Sequence, residues 1–280
     1  VKMAIGFVQA RAIMKGFAPQ AILATGGYAS VPVVLAGRRG RIPVLLYLPD
    51  IEPGLAVQRL ARWAARVAVA FAEVGAFFEA GKVVVTGYPV RREFFEVDRA
   101  SARRRLGLAA DRPVVTVFGG SRGAHSINQA VGRALEGLLS ACQVLHVCGP
   151  ADHAAAAARR AALPPELAAG YHLYAYLHEE MAHALAAADL VVARAGASTL
   201  GEFPALGLPS IVVPYPYSGQ HQDANAEYLV RHGAAVKIAD SALDADLLPT
   251  VLELLGDRQR LEEMGRRARA LSRPDAAGRL

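Results

Sequence analysis

What most narrows the fold of this 280-residue chain is a repeated unit: a short apolar run, a turn of small residues, then a helical pattern. Two copies stand out. Leu190–Ala193 leads into Arg194-Ala-Gly-Ala-Ser-Thr-Leu-Gly-Glu202, and Ser210–Val213 leads into Pro214-Tyr-Pro-Tyr-Ser-Gly-Gln-His-Gln-Asp-Ala-Asn-Ala226. Unbroken apolar runs are strands buried on both faces, and strands that alternate with helices build parallel sheets from βαβ units. The spacing predicts strands over 21–25, 44–48, 67–71 and 83–86, then a second series over 114–118, 143–148, 172–175, 190–193, 211–213 and 235–238. Helices over 243–255 and 257–271 close the chain.

This length is too great for one open α/β core and comfortable for two. The charged stretch Arg92–Arg105 reads as a linker plus a surface helix, so the expected division is a partial first domain over 1–91 and a ligand-binding domain over 92–280. A hydrophobic content of 53% against 20% charged residues describes a folded chain with a large interior. No apolar run approaches the roughly 18 residues that a membrane-spanning helix requires. Cys142 and Cys148 are too few for a disulfide framework, which makes a reducing cytoplasm the expected compartment. The net charge of +6 suits an anionic partner. Arginine carries most of that charge, and its fork suits phosphate. The sequence opens on Val1 inside a helical pattern (Val1, Ile5, Val8, Ile13), so it is expected to be a fragment whose N-terminus lies upstream.

Three turns carry the chemistry. Phe118-Gly-Gly-Ser-Arg-Gly-Ala124 joins a strand to a helix, where glycines and open N–H groups at a helix tip can hold a diphosphate. The spacing is not GxGxxG and no acidic residue ends the next strand, which disfavours a nicotinamide dinucleotide. Glu202, one turn into its helix, is placed to accept both hydroxyls of a ribose, beside Gly196-Ala-Ser-Thr199. Gln220-His-Gln222 opens the next helix with Asn225 one turn on. Gly26-Gly-Tyr-Ala-Ser30 is the matching turn of the first domain. Asp244-Ala-Asp246 reads as helix capping rather than a metal pair, His146 and Cys148 read as core, and no metal site is expected. In the helix expected over 54–66, Arg59, Arg62 and Arg66 flank an apolar row, and Arg38-Arg-Gly-Arg41 adds charge; an anionic bilayer is the functional reading of that face.

Taken in order, these pieces resemble the MurG family of glycosyltransferases. The carriers are Thr25-Gly-Gly-Tyr-Ala-Ser30, Thr86-Gly-Tyr-Pro-Val-Arg91, Gly119-Gly-Ser-Arg-Gly-Ala124, Arg194 to Glu202 and the Gln-His-Gln…Asn-Ala segment, spanning nearly the whole chain. The resemblance implies a GT-B fold of two Rossmann-like domains whose parallel sheets face a cleft, the first domain incomplete here. It implies an inverting, metal-independent transfer of N-acetylglucosamine from UDP-N-acetylglucosamine to a polyprenyl-linked muramyl-pentapeptide, at the cytoplasmic face of the cell membrane, with an anionic lipid surface as partner, no cofactor and no nucleic acid. By the same resemblance, Ser121, Arg122, Gly123 and Arg91 attend the diphosphate. Leu177, His178 and Met181 border the uracil. Ala197, Ser198 and Thr199 line the phosphate and sugar side, Glu202 meets the ribose, and His221 and Gln222 meet the sugar hydroxyls. Gly26, Gly27, Tyr28 and Ser30 face the acceptor.

The departures fall mostly outside the donor motifs. The family's Gly-Gly-Thr-Gly-Gly-His-type opening loop, the expected source of the base, is absent from this sequence, and Asp50 is the candidate within it. Tyr47-Leu-Pro-Asp50 and Glu52 replace a His-Glu-Gln-Asn segment, while Tyr88, Arg122 and His125 stand where Asn, Gln and Arg are usual. Two alternatives remain: a related transferase with another lipid acceptor, and a non-catalytic donor-binding subunit.

Overall fold

The computed structural model describes residues 2–120, 123–217 and 221–280. Its helices, in chain order, are α1 (Lys2–Phe17), α2 (Ser30–Arg39), α3 (Leu55–Ala61), α4 (Glu93–Glu96), α5 (Arg99–Arg105), α6 (His125–Ala141), α7 (His153–Ala162), α8 (Pro165–Ala168), α9 (Met181–Ala186), α10 (Thr199–Leu206), α11 (His221–Arg231), α12 (Leu243–Gly256), α13 (Arg258–Ala270) and α14 (Ala276–Arg279). The strands are β1 (Ile22–Ala24), β2 (Val44–Leu48), β3 (Arg66–Val69), β4 (Val83–Val85), β5 (Val114–Phe118), β6 (Gln143–Val147), β7 (Tyr171–Tyr174), β8 (Leu190–Ala193), β9 (Ser210–Val212) and β10 (Ala235–Lys237).

The chain divides into two compact units, Val1–Pro89 with Asp275–Leu280, and Val90–Pro274. The expected boundary after residue 91 lies two residues beyond this division, and residues 275–280, expected with the second domain, cluster with the first.

In the first unit β1-β2-β3-β4 form a parallel sheet in sequence order. Here α1 turns Gly6, Phe7, Ala10 and Met14 inward and leaves Ile5, Val8 and Ile13 exposed. The apolar row picked out by the sequence is therefore the outward one. The helix expected over 54–66 ends at Ala61. Trp63 leaves it to sit between two guanidiniums, Arg62 at 4.1 Å and Arg38 at 5.0 Å from the ring centroid, and Val67 belongs to β3.

The second unit holds a six-stranded parallel sheet in the order β10-β9-β8-β5-β6-β7. Side chains alternate across it: Val115, Val117, Leu190 and Val192 pack under α6 and α12, while Val114, Val191 and Ala193 face the α9 and α10 side. Both faces are apolar because both are covered, the condition that makes these strands readable as unbroken runs. Arg92–Arg105 is not a linker. Phe94 is 1% exposed within the α9–α10 cluster. Arg103 is buried, with Nη2 2.6 Å from Asp189 and Nε donating to Ala187 O. Its charge is neutralised by a carboxylate distant in sequence, so a charged stretch forms part of the fold.

Candidate donor-binding site

Strand order in the six-stranded parallel sheet reverses at β5 and β8: from β5 the chain crosses to β6 and β7 on one side, while β8, β9 and β10 extend the other. Open α/β sheets bind ligands outside the carboxyl ends of the strands at such a switch point. A cavity of about 820 Å³ opens there. Phe118, which ends β5, lines it with Gly119, Gly120 and Gly123 of the following turn, and Arg194, Gly196, Ser198 and Thr199 enter from the end of β8. The rest of the wall includes His125, Ser126, Asp152, Tyr215, Tyr217, Gln222 and Asp240.

The β5–α6 turn depends on close backbone approach. Gly123 has φ +77°, and a Cβ there would stand 2.4 Å from Cys148 O. A Cβ on Gly119 would stand 2.1 Å from Ala124 N. The α6 helix starts at His125 with neither a side-chain cap nor an acidic residue in its own first turn; the carboxylates of Asp152, bonded to His125 and Asn128, and of Asp240, bonded to Ser126, stand against that turn from other segments. The tip of α10 is less open than its sequence suggests. The amides of Thr199, Leu200 and Gly201 close turns onto the carbonyls of Gly196, Ala197 and Ser198, and Thr199 Oγ1 donates to Gly196 O at 2.6 Å.

The cavity floor is tied by Arg194, whose side chain is 10% exposed. Its Nη1 lies 2.5 Å from Asp240 Oδ1, its Nη2 donates to Ser126 Oγ at 2.7 Å, and Ser126 donates to Asp240 at 2.7 Å. The same guanidinium donates to the carbonyl of Val213 and lies 5.2 Å from the Tyr215 ring centroid. One residue thus joins the ends of β8 and β9, the start of α6 and the segment after β10. Gln222 Oε1 accepts from Tyr215 N–H at 2.9 Å, and buried Asn225 donates to Ala195 O at 3.1 Å, which fixes α11 against both loops.

Of the residues the sequence singled out, the structure brings Gly123, Ser198, Thr199 and Gln222 together on this cavity. Ser121, Arg122 and Gln220 lie outside the described residues. Ala197 sits between two lining residues, and His221 precedes one. Glu202 is one helical turn beyond Ser198 on the same face of α10, half-buried and outside the lining itself. Burial pushes its carboxyl up from the usual 4.5 to about 7, opposed by Arg91 and reinforced by Glu93. Arg91 is paired with Glu93 at 2.9 Å and lies over Phe94. Leu177, His178 and Met181 form a separate group after β7: Leu177 is in the core, His178 meets the Tyr176 ring edge-on at 4.6 Å and Met181 packs on the α9 clusters. Asp244 does not cap α12, which has no side-chain cap; it pairs with Arg133. Among the described residues no His, Cys, Asp and Glu group could hold a metal.

No sequence pattern joins His125, Ser126, Asp152, Arg194 and Asp240, which lie on four segments and together form one polar wall of the cavity. A second cleft, of about 650 Å³, lies at the opposite edge of the sheet, where Pro113, Asp189 and Pro209 precede β5, β8 and β9. Its arginines are committed internally: Arg103 to Asp189, Arg112 to Leu139 O and Arg269 to Leu206 O.

In the first unit Gly26 (φ +96°) and Gly27 (φ +76°) form the turn after β1, with Ser30 Oγ donating to Gly27 O at 2.8 Å and Tyr28 exposed. After β2, Tyr47 is buried, its hydroxyl 3.3 Å from Gly87 O; burial raises its pKa above the usual value, with Tyr88 and Asp50 adding to the shift.

Comparison with known proteins fits this arrangement. Residues 114–280 match the glycosyltransferase family 28 C-terminal domain, and residues 1–69 match the family 28 N-terminal domain. The UDP-N-acetylglucosamine–N-acetylmuramyl-(pentapeptide) pyrophosphoryl-undecaprenol N-acetylglucosamine transferase of Roseiflexus sp. (strain RS-1) is 44% identical over 94% of this chain and 68% of its own length. The chain belongs to the MurG family. The Bacillus pumilus transferase of the same name is 36% identical over 98% of this chain and 76% of its own. MurG of Acinetobacter baumannii superposes with a TM-score of 0.78 at 31% identity, covering 99% of this chain and 77% of that one. Both units are accordingly the Rossmann-like, parallel-sheet kind seen in GT-B proteins. The UDP-GlcNAc 2-epimerase of Neisseria meningitidis shares that fold at a TM-score of 0.69 and 12% identity.

Proposed function

We propose that this MurG-family chain is an inverting hexosyltransferase that takes N-acetylglucosamine from UDP-N-acetylglucosamine to a polyprenyl-diphosphate-linked muramyl-pentapeptide, the step that turns lipid I into lipid II in peptidoglycan synthesis. The observation that carries the reading is the cavity at the β5–β8 switch point, with a glycine turn and the start of α6 on one wall and the Ser198–Thr199 turn on the other. The diphosphate sits against Gly119–Gly123 and the start of α6, where the helix dipole and N–H groups stabilise the charge that builds on the leaving UDP. Glu202 accepts the ribose hydroxyls, Gln222 and His221 face the sugar, and Arg91 offsets charge near Glu202. The attacking muramyl hydroxyl gives its proton to a base on the acceptor side, for which Asp50 is this chain's candidate. Gly26, Gly27, Tyr28 and Ser30 belong to that side.

Peripheral contact with the cytoplasmic membrane face is proposed through α1. Ile5, Val8 and Ile13 are exposed there beside Arg11 and Lys15, the mixture that seats a helix on an anionic bilayer. No helix among the described residues is long and apolar enough to cross a membrane. Val8→Asp with Ile13→Asp is expected to lower binding to phosphatidylglycerol vesicles about tenfold or more. Undiminished co-sedimentation would reject α1 as the contact.

The donor assignment is tested by calorimetric titration with UDP-N-acetylglucosamine, UDP-glucose and NAD. The first is expected to bind tightest; preference for NAD would end the proposal.

A further inference from the structure

The segment after β9 brings two aromatic rings to the switch-point cavity that the donor reading leaves unused. Tyr215, Pro216 and Tyr217 line its wall. The rings meet edge to face, with centroids 5.5 Å apart and planes at 69°. Tyr215 is 44% exposed and Tyr217 84%. The inner ring is held from several sides. Proline fixes φ at positions 214 and 216, on either side of Tyr215. Tyr215 N–H donates to Gln222 Oε1 at 2.9 Å, and the Tyr215 ring lies 5.2 Å from the Arg194 guanidinium. Tyr215 is thus fixed to the cavity floor and to α11, and Tyr217 stands against it. The wall formed by His125, Ser126, Asp152, Arg194 and Asp240 is polar. The Tyr217 ring therefore offers that cavity an apolar face still open to a ligand.

Strand order decides which part of the donor meets this face. Along the carboxyl edge of the sheet the order is β9, β8, β5, β6, β7. The turn after β5 takes the diphosphate, while Leu177 and His178, assigned to the uracil, follow β7 on one side of it. Tyr215 and Tyr217 follow β9, on the other side. A donor laid along this edge with its uracil towards β7 turns its sugar towards β9, where Gln222 is already bonded to Tyr215. The chemistry of the sugar suits the ring. In N-acetylglucosamine the substituents at C2, C3 and C4 are equatorial, so the axial C–H bonds form apolar faces while the polar groups point outward. Such a face lies flat on the electron-rich face of an aromatic ring, and the outward hydroxyls stay free for Gln222.

We propose that Tyr217, supported by Tyr215, packs its ring on the apolar face of the donor's hexose and sets the preference for nucleotide-sugar over bare nucleotide. The inference deepens the donor reading given above and rests on it. Its test compares the affinities of UDP-N-acetylglucosamine and UDP by calorimetry for the wild type, Tyr217→Ala and Tyr217→Phe. Tyr217→Ala is expected to weaken UDP-N-acetylglucosamine about fivefold or more and to leave UDP within about twofold, since UDP has no sugar for the ring to cover. Tyr217→Phe keeps the ring face and is expected to bind both as the wild type does. An equal loss for both ligands in Tyr217→Ala would assign the ring to the nucleotide or to the fold of its segment, and overturns the inference. Unchanged affinity for both also overturns it. A loss in Tyr217→Phe as large as in Tyr217→Ala would make the hydroxyl the contact and remove the role given to the ring face. All three results leave the donor reading intact. Failure of the wild-type protein to bind either ligand overturns that reading, and this inference with it.

Discussion

Arg194→Leu is expected to destabilise the second unit by about 3 kcal/mol and to abolish donor binding at ordinary concentrations. The guanidinium is nearly buried, and it bonds Asp240, Ser126 and a carbonyl at the end of β9. Leucine fills part of the volume but leaves Asp240 as a largely desolvated charge without its cation, and leaves a main-chain carbonyl without a donor. Removing one partner of such a pair costs more than the pair contributes, because the orphaned group keeps its desolvation penalty. The low end of the usual range applies because Asp240 is 24% exposed. Urea unfolding followed by tryptophan-independent circular dichroism measures the loss. Asp240→Asn added to Arg194→Leu is expected to recover part of it by removing the stranded charge. A wild-type midpoint for Arg194→Leu would show that the four segments are held by something else.

The second large effect belongs to Glu202. Its alanine variant is expected to bind UDP-N-acetylglucosamine about 1–3 kcal/mol more weakly, since two ribose hydroxyls lose a charged acceptor. The carboxyl titrates near 7, and hydroxyls that donate to it favour the ionised form. Binding therefore releases a proton below that pH, and Glu202's share of the affinity fades as pH falls from 7 towards 5. Titrations in two buffers of different ionisation enthalpy measure the released proton, and Glu202→Gln removes it. The effect on folding has its own sign. The folded pKa lies above the unfolded 4.5, so the native state holds a proton that the unfolded chain gives up between these values. This group's contribution to stability accordingly falls as pH rises through that window and is constant outside it. A Glu202→Ala protein with unchanged affinity and unchanged proton release would remove the ribose assignment.

The central strands were legible because both of their faces are covered, whereas Leu23 of β1 and Val84 of β4 are exposed on the outer strands of the first unit's sheet. Val44–Leu48 and Leu190–Ala193 are apolar throughout, Val114–Phe118 is interrupted by Thr116, whose hydroxyl donates to Ala184 O, and all three begin and end where the sequence suggests. What the sequence hides is the partner of a charge. Arg103 reads as solvated until Asp189 appears beside it, and Phe94 looks stranded among charges until α9 and α10 close over it. The same blindness affects α1, where apolar residues on every side leave the buried face undecided, and the end of α3, where Trp63 is drawn out between two arginines. At the site, the glycine turn and the Ser198–Thr199 turn could be read because local backbone geometry demands small residues. The wall of His125, Asp152, Arg194 and Asp240 could not, since each member is an ordinary polar residue until the sheet order brings their segments to one edge. Alternation along β6 places His146 in the core, but nothing in a strand pattern shows that it reaches Asp152 through Asn128.

Hydrogen–deuterium exchange with and without saturating UDP-N-acetylglucosamine reports where the nucleotide-sugar sits as well as whether it binds. Exchange is expected to slow in the segments that line the switch-point cavity, Phe118–Gly120, Gly123–Ser126 and Arg194–Thr199, and at Glu202 one turn on, with no change around Pro113, Asp189 and Pro209 at the far edge of the sheet. Protection confined to that far edge, or absent from these segments at saturation, would contradict the donor assignment.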